Sequence, residues 1–185
     1  MTAGLVILLF ASTLNSGVAN SPSQATALGA PGCGAENVRF NVSTDVEKQP
    51  LPAVEAGKAL VVFVQDDGSF GSHPRPTTRF GIDGKWVGAT HANSFFYAQV
   101  DPGEHHVCAN WQNRVELFGT PRSTAATSFT AESGKVYYIR ARDMGLTDRS
   151  GAFLAQPEVE LESINADEGQ VLMHSFAFSA FRMKK

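Results

Sequence analysis

The chain has little cysteine, modest charge and no concentration of basic residues. Cys33 and Cys108 are its two cysteines. They form no Cys-x-x-Cys pair, so zinc-ribbon and thioredoxin-type redox motifs are excluded. Charged residues make up 18% and hydrophobic residues 43%, a balance that excludes a disordered chain. The formal net charge is −3, and no segment gathers Lys and Arg into the stripe a nucleic-acid footprint needs. The short run Arg182-Met183-Lys184-Lys185 is too small for a polybasic lipid site and reads as a solvated C-terminus. There is no run of ~20 apolar residues, the length a bilayer-crossing helix takes. Gly-x-Ser-x-Gly, His-Glu-x-x-His and a phosphate-binding glycine loop are all missing.

An apolar run, Gly4 to Ala11, opens the chain. It is too short to span a membrane and fits the apolar stretch of a secretory signal. Gly17-Val18-Ala19 supplies the small-x-small pattern a signal peptidase reads, so residues 1–19 are expected to be a signal peptide. Further cleavage candidates lie near Ala25 and Ala27. The usual positive stretch is lacking, since no Lys or Arg precedes Arg39. Residues 20–32, rich in Ser, Ala, Pro and Gly, read as a flexible linker. Residues 33–185 then form one domain, which at that size buries ~70% of its unfolded surface and needs no cofactor to fold. Pro31 and the distance from the apolar run argue against a lipidated Cys33.

Export makes a Cys33–Cys108 disulfide the expected fate of the two thiols. The alternative is a pair of free thiols able to ligate metal.

Strand signals dominate the rest. Val38 to Ser43 alternates apolar and polar, with Val38, Phe40 and Val42 inward. Lys58 to Gln65 is a continuous β-branched run, the mark of a central strand buried on both faces. It is expected to end in turn chemistry at Asp66-Asp67-Gly68. Asp83-Gly84 suits a type I′ hairpin. Ser94–Val100 and His105–Trp111 flank Asp101-Pro102-Gly103, and Thr127–Ala131 and Lys135–Arg142 flank Glu132-Ser133-Gly134. Asp143 to Gly151 reads as a polar loop. Phe153-Leu154 and Val159–Glu162 give a last strand or pair. Asn165 and Glu168 form a capping box for a short C-terminal helix. About eight strands without a βαβ rhythm predict an all-β sandwich of immunoglobulin-like or prealbumin-like type.

Certain of these motifs belong together. Gly57-Lys58-Ala59-Leu60-Val61 precedes Asp83-Gly84-Lys85-Trp86-Val87-Gly88, then Val100-Asp101-Pro102-Gly103-Glu104-His105, then Gly134-Lys135-Val136-Tyr137-Tyr138-Ile139-Arg140. The set resembles the bacterial domain family of unknown function DUF2846, over residues 57–172. The hairpin and the Pro-Gly-x-His turn are also similar to PEGA-type surface domains, which are small sandwiches. Many members of the first family look like lipoproteins, whereas Cys33 here has no lipobox. The resemblance implies a fold and no activity.

Candidate chemistry is sparse. Trp86, Phe95, Tyr97 and Trp111 lie around two hairpins and form a candidate binding surface for a sugar or peptide. Alternation puts Phe95 and Tyr97 opposite Phe96, so one aromatic face is core and the other is covered, for instance by 112–124, or exposed. His91, His106 and a reduced Cys108 are an alternative metal set, in competition with the disulfide. His105 is expected to cap its turn through backbone hydrogen bonds. Glu158, Glu160 and Glu162 share a strand face that reads as solvated. A catalytic carboxylate pair distant in sequence stays open.

The expectation is an exported, periplasmic or secreted, non-enzymatic β-sandwich that binds a protein or cell-envelope partner and needs no cofactor. A metal-binding protein is the alternative, and an unrecognised hydrolase a third. A deep polar cleft with a perturbed His or carboxylate would count against the first reading.

Overall fold

The computed structural model describes residues 33–45, 50–70, 74–113, 123–145 and 157–184. Among these, ten strands and one helix form two packed sheets. The strands are β1 (Phe40–Asp45), β2 (Ala59–Ser69), β3 (Thr77–Ile82), β4 (Lys85–His91), β5 (Ser94–Val100), β6 (Gly103–Trp111), β7 (Thr124–Ala131), β8 (Val136–Met144), β9 (Glu158–Ile164) and β10 (Ala177–Met183); α1 spans Ala166–Ser175. One sheet has the order β1-β10-β5-β2-β8-β9, the other β4-β3-β6-β7. The expected all-β sandwich is what forms.

β2 sits inside the larger sheet because its side chains are apolar on both faces. Ala59 to Val64 are fully buried. It pairs antiparallel with β5 and parallel with β8. Its odd-numbered residues face the other sheet, where Phe63 meets Phe80 of β3 at 5.1 Å, while Phe96 of the adjoining β5 stacks beside it at 5.0 Å. Burying each such ring stabilises the fold by about 1.5–3 kcal/mol. Asp83 and Gly84 both have positive φ, 49° and 80°, as a type I′ turn between β3 and β4 requires.

The outer face of the larger sheet carries Val62, Val64, Phe95 and Tyr138. The cover is α1 with its C-cap, through Leu172, Met173 and Phe176, and Phe178 of β10 packs beside Phe95 in the same sheet, while residues 114–122 of the proposed covering loop lie outside the described residues. Asn165 caps α1 as expected, accepting the Glu168 N–H at 2.9 Å. Gly169 lies against the Tyr138 ring so closely that a Cβ there would collide with it.

The basic C-terminal run is not simply a solvated tail. Arg182 and Met183 belong to β10, which pairs antiparallel with β1 and parallel with β5. Phe181 anchors it, edge-on to Phe40 at 5.7 Å and Phe96 at 5.0 Å.

The outer face of the smaller sheet is covered around Arg79, Trp86 and Cys108 by the chain from Cys33 to Arg39. Cys33 is bonded to Cys108, with Cα atoms 5.1 Å apart. Closing a loop of 75 residues stabilises the fold by about 4 kcal/mol in the chain-entropy model. Ala35 accepts the Trp86 indole N–H at 2.7 Å, and the Arg79 guanidinium stacks 4.2 Å from the Trp86 ring.

Two expectations change. Asp66-Asp67-Gly68 does not end β2, because parallel pairing with β8 carries the strand on to Ser69. Asp143 is not in a loop but in β8, and is fully buried. The pair Phe153-Leu154 falls outside the described residues.

Candidate functional site

The inward-facing positions change character at one end of the sandwich. On β2, Val61 and Phe63 give way to Gln65 and Asp67; on β8, Ile139 and Ala141 give way to Asp143. Thr78 of β3, Thr90 of β4 and Trp111 of β6 face them from the second sheet. All six are buried.

A polar group buried here must be satisfied within the protein. One Gln65 amide nitrogen donates to Asp67 Oδ1 at 2.8 Å and Asp143 Oδ2 at 2.8 Å. The Gln65 carbonyl accepts the Thr90 hydroxyl at 2.7 Å. Asp143 also accepts the Trp111 indole N–H at 2.9 Å and the Thr78 hydroxyl at 3.1 Å. Asn93 accepts the Asp67 backbone N–H at 2.8 Å. Arg75 stands 3.6 Å from Asp67 Oδ2.

The two carboxyl groups are thus brought together on the one Gln65 nitrogen. Burial pushes Asp143 well above the ordinary carboxylate range, and the charge of Asp67 pushes it further. Burial also raises Asp67, against the pull of Gln65, Asp143 and Arg75. The pair is thereby biased toward the protonated form. It is perturbed as a catalytic pair would be, yet it sits in no open cleft among the described residues: Asp67 is 1% exposed and Asp143 is 0%.

The predicted aromatics do not converge on a surface. Trp111 points into the interior cluster and Phe95 lies under α1, each about 1% exposed. Tyr97 is half-buried against Phe178 at 5.5 Å, and Trp86 is half-buried on the other sheet beneath Arg79. Alternation separated these faces but could not show that a helix covers one of them.

Nor does the metal set assemble. The Cys108 sulfur is bonded to Cys33. His91 is level with Thr77 and His106 with the far end of β3 beyond Ile82, about 20 Å away along the strands. Among the described residues no group of three or more His, Cys, Asp or Glu is placed to hold a metal ion.

His105 does cap its turn, bonding the Asp101 carbonyl through Nε2 at 2.7 Å and Asp83 through Nδ1 at 2.7 Å. Burial lowers its pKa, but the Asp101 carbonyl and Asp83 outweigh that and raise it. Burial raises Asp83, but the His106 N–H and His105 outweigh that and lower it.

The glutamates of β9 are not merely solvated. Glu162 accepts from Arg140 at 2.6 Å and from Arg142 at 2.5 Å, and Glu160 from Arg142 at 3.0 Å. Glu168 of α1 and Asp66 of β2 face Arg140 as well.

Two of the cavities that open on the surface border β9 or the sheet beneath α1. One of 280 Å³ lies between α1 and the larger sheet, lined by Leu51, Phe95, Tyr138, Gln170, Met173 and His174. The other, 400 Å³, runs between β7 and β9 and is lined by Ala125, Ala126, Met144, Glu158, Val159 and Glu160.

These features define a disulfide-closed β-sandwich with a polar interior end. The chain belongs to the DUF2846 family of proteins of unknown function, whose model matches residues 55–150. The matched span contains all six residues of the interior cluster and Cys108, but not Cys33. No curated protein and no solved structure matches the chain.

Proposed function

We propose that this protein works outside the cytoplasm as a non-catalytic β-sandwich that binds a protein or cell-envelope partner. The carrying observation is the Cys33–Cys108 bond, which ties the start of the described domain to its core and persists only in an oxidising compartment. The apolar run Gly4 to Ala11 supplies the matching export signal. The acid pair supports a structural role for its carboxylates, because they accept from Gln65, Thr78 and Trp111 inside the sandwich and both groups are sealed from solvent.

A reporter fusion tests export. Residues 1–32 would be joined to a phosphatase that is active only outside the cytoplasm. Activity at the level of a known secretory signal is expected. An inactive, cytoplasmic fusion overturns the reading.

A further inference from the structure

On β6, His105, Val107, Ala109 and Trp111 share one face, and the last three are core. His105 therefore closes the end of the sandwich opposite Asp67 and Asp143. Its side chain is 12% exposed and lies against the Phe129 ring of β7 at 5.6 Å, with Tyr137 of β8 behind that ring at 5.1 Å. Two turns meet at its edge. The Asp83-Gly84 turn joins β3 to β4, and the Asp101-Pro102 turn carries the chain from the larger sheet to the smaller.

Both ring nitrogens of His105 face an oxygen. Nδ1 is 2.7 Å from Asp83 Oδ2, and Nε2 is 2.7 Å from the Asp101 carbonyl. A carbonyl cannot donate, and the Asp83 carboxyl is lowered, against its burial, by the His106 N–H and His105. A neutral imidazole has one N–H and one lone pair, so only the imidazolium satisfies both contacts.

The two contacts are not equally anchored. Asp83 donates its own N–H to the His106 carbonyl at 2.9 Å and accepts the His106 N–H on Oδ1 at 2.9 Å, which fixes the carboxylate whatever the charge of His105. Asp101 is exposed. It is followed by Pro102, which has no N–H, and by Gly103 at φ 137°. Its carboxylate pairs with Lys58 at 2.7 Å. Among the described residues, the charged groups facing this corner are Asp83, Asp101 and Lys58, while β7 and β8 present Phe129 and Tyr137 and the His106 ring lies on the other face of β6.

We propose that His105 is a proton-operated latch between the two turns. As an imidazolium it ties the Asp101 carbonyl to Asp83. When Nε2 gives its proton to solvent, the remaining N–H stays on Nδ1, where it serves the carboxylate, and lone pairs are left facing each other at the Asp101 carbonyl. The Asp101-Pro102-Gly103 turn then moves off the ring. Burial lowers the pKa of His105, but the Asp101 carbonyl and then Asp83 raise it above 6.5. The latch is therefore shut below pH 6.5 and opens as pH rises through the raised value. It is independent of the binding role proposed above.

The test follows the purified disulfide-bonded protein by NMR from pH 5 to pH 9. Imidazole nitrogen shifts report protonation and tautomer, and backbone carbonyl shifts report the turns. Both His105 nitrogens are expected to be protonated at pH 5 and Nδ1 alone at pH 9. The Asp101 and Pro102 carbonyls are expected to move with the His105 midpoint, which lies above 6.5, and the Asp83 and Gly84 carbonyls to move less. His105→Gln is expected to abolish the movement at Asp101 and Pro102, and His106→Gln to leave it intact. Should His105→Gln not fold, the tautomer and the shared midpoint in the wild type carry the test. A midpoint at or below 6.5, a proton kept on Nε2 at pH 9, or Asp101 and Pro102 carbonyls that stay still overturns the proposal. So does a movement that persists in His105→Gln or is lost in His106→Gln.

Discussion

Asp67 and Asp143 meet at a single amide nitrogen, 2.8 Å from each, although they stand 76 positions apart in the sequence. Gln65 thereby joins two carboxyl groups on neighbouring parallel strands, and the second sheet closes over them through Thr78, Thr90 and Trp111. The arrangement gathers the polar end of the sandwich around two buried carboxyl groups.

The raised carboxyl groups make stability depend on pH. Both carboxyl groups have folded-state pKa values raised above the ordinary 3.8. Their contribution is complete below the unfolded value and is lost as pH rises through the raised folded values. Urea midpoints of the wild type are expected to fall from pH 5 to pH 9 more steeply than those of Asp143→Asn, whose amide needs no proton to bond Asp67. Equal slopes in the two proteins would contradict a raised Asp143. Asp143→Ala, which strands the Trp111 and Thr78 donors, is expected to cost about 2–3 kcal/mol at pH 5.

The Asp83–His105 contact predicts a second titration, on the surface. His105 is raised and Asp83 lowered. The histidine contribution is full below pH 6.5 and fades as pH rises through its raised value; the Asp83 contribution is full above 3.8 and fades as pH falls through its lowered value. The Asp83→Asn variant is expected to bring the NMR-measured His105 pKa down. An unchanged His105 titration would show that Asp83 does not hold its charge.

Gly169 predicts an inversion of the helix-propensity rule. Gly→Ala inside a helix ordinarily gains about 1 kcal/mol. Here the new Cβ meets the Tyr138 ring, so Gly169→Ala is expected to destabilise by about 1–3 kcal/mol, as overpacking does. Thermal denaturation decides it. A raised midpoint would mean that α1 does not seat on Tyr138.

Much of the fold is legible in the residue pattern. The β-branched run of β2, the Asp83-Gly84 turn and the Asn165 cap are local signals, and each forms as its chemistry dictates. β10 is different. Phe178 and Phe181 serve opposite faces of the sheet, and the strand joins β5 in parallel across a long sequence gap, so period-two alternation is absent. The interior cluster hides for a related reason. Asp66-Asp67-Gly68 has turn composition, and only the continued period of Val61, Phe63, Gln65 and Asp67 points inward. No local pattern shows that Asp143 completes it.

The central claim is an oxidised protein outside the cytoplasm, and one measurement reaches it directly. The chain would be isolated without reductant from the fraction released from the cell envelope, unfolded in iodoacetamide, and weighed intact. The account predicts a mass two hydrogens below that of the reduced chain, with no alkyl adduct. Two carbamidomethyl groups, one on Cys33 and one on Cys108, would contradict it.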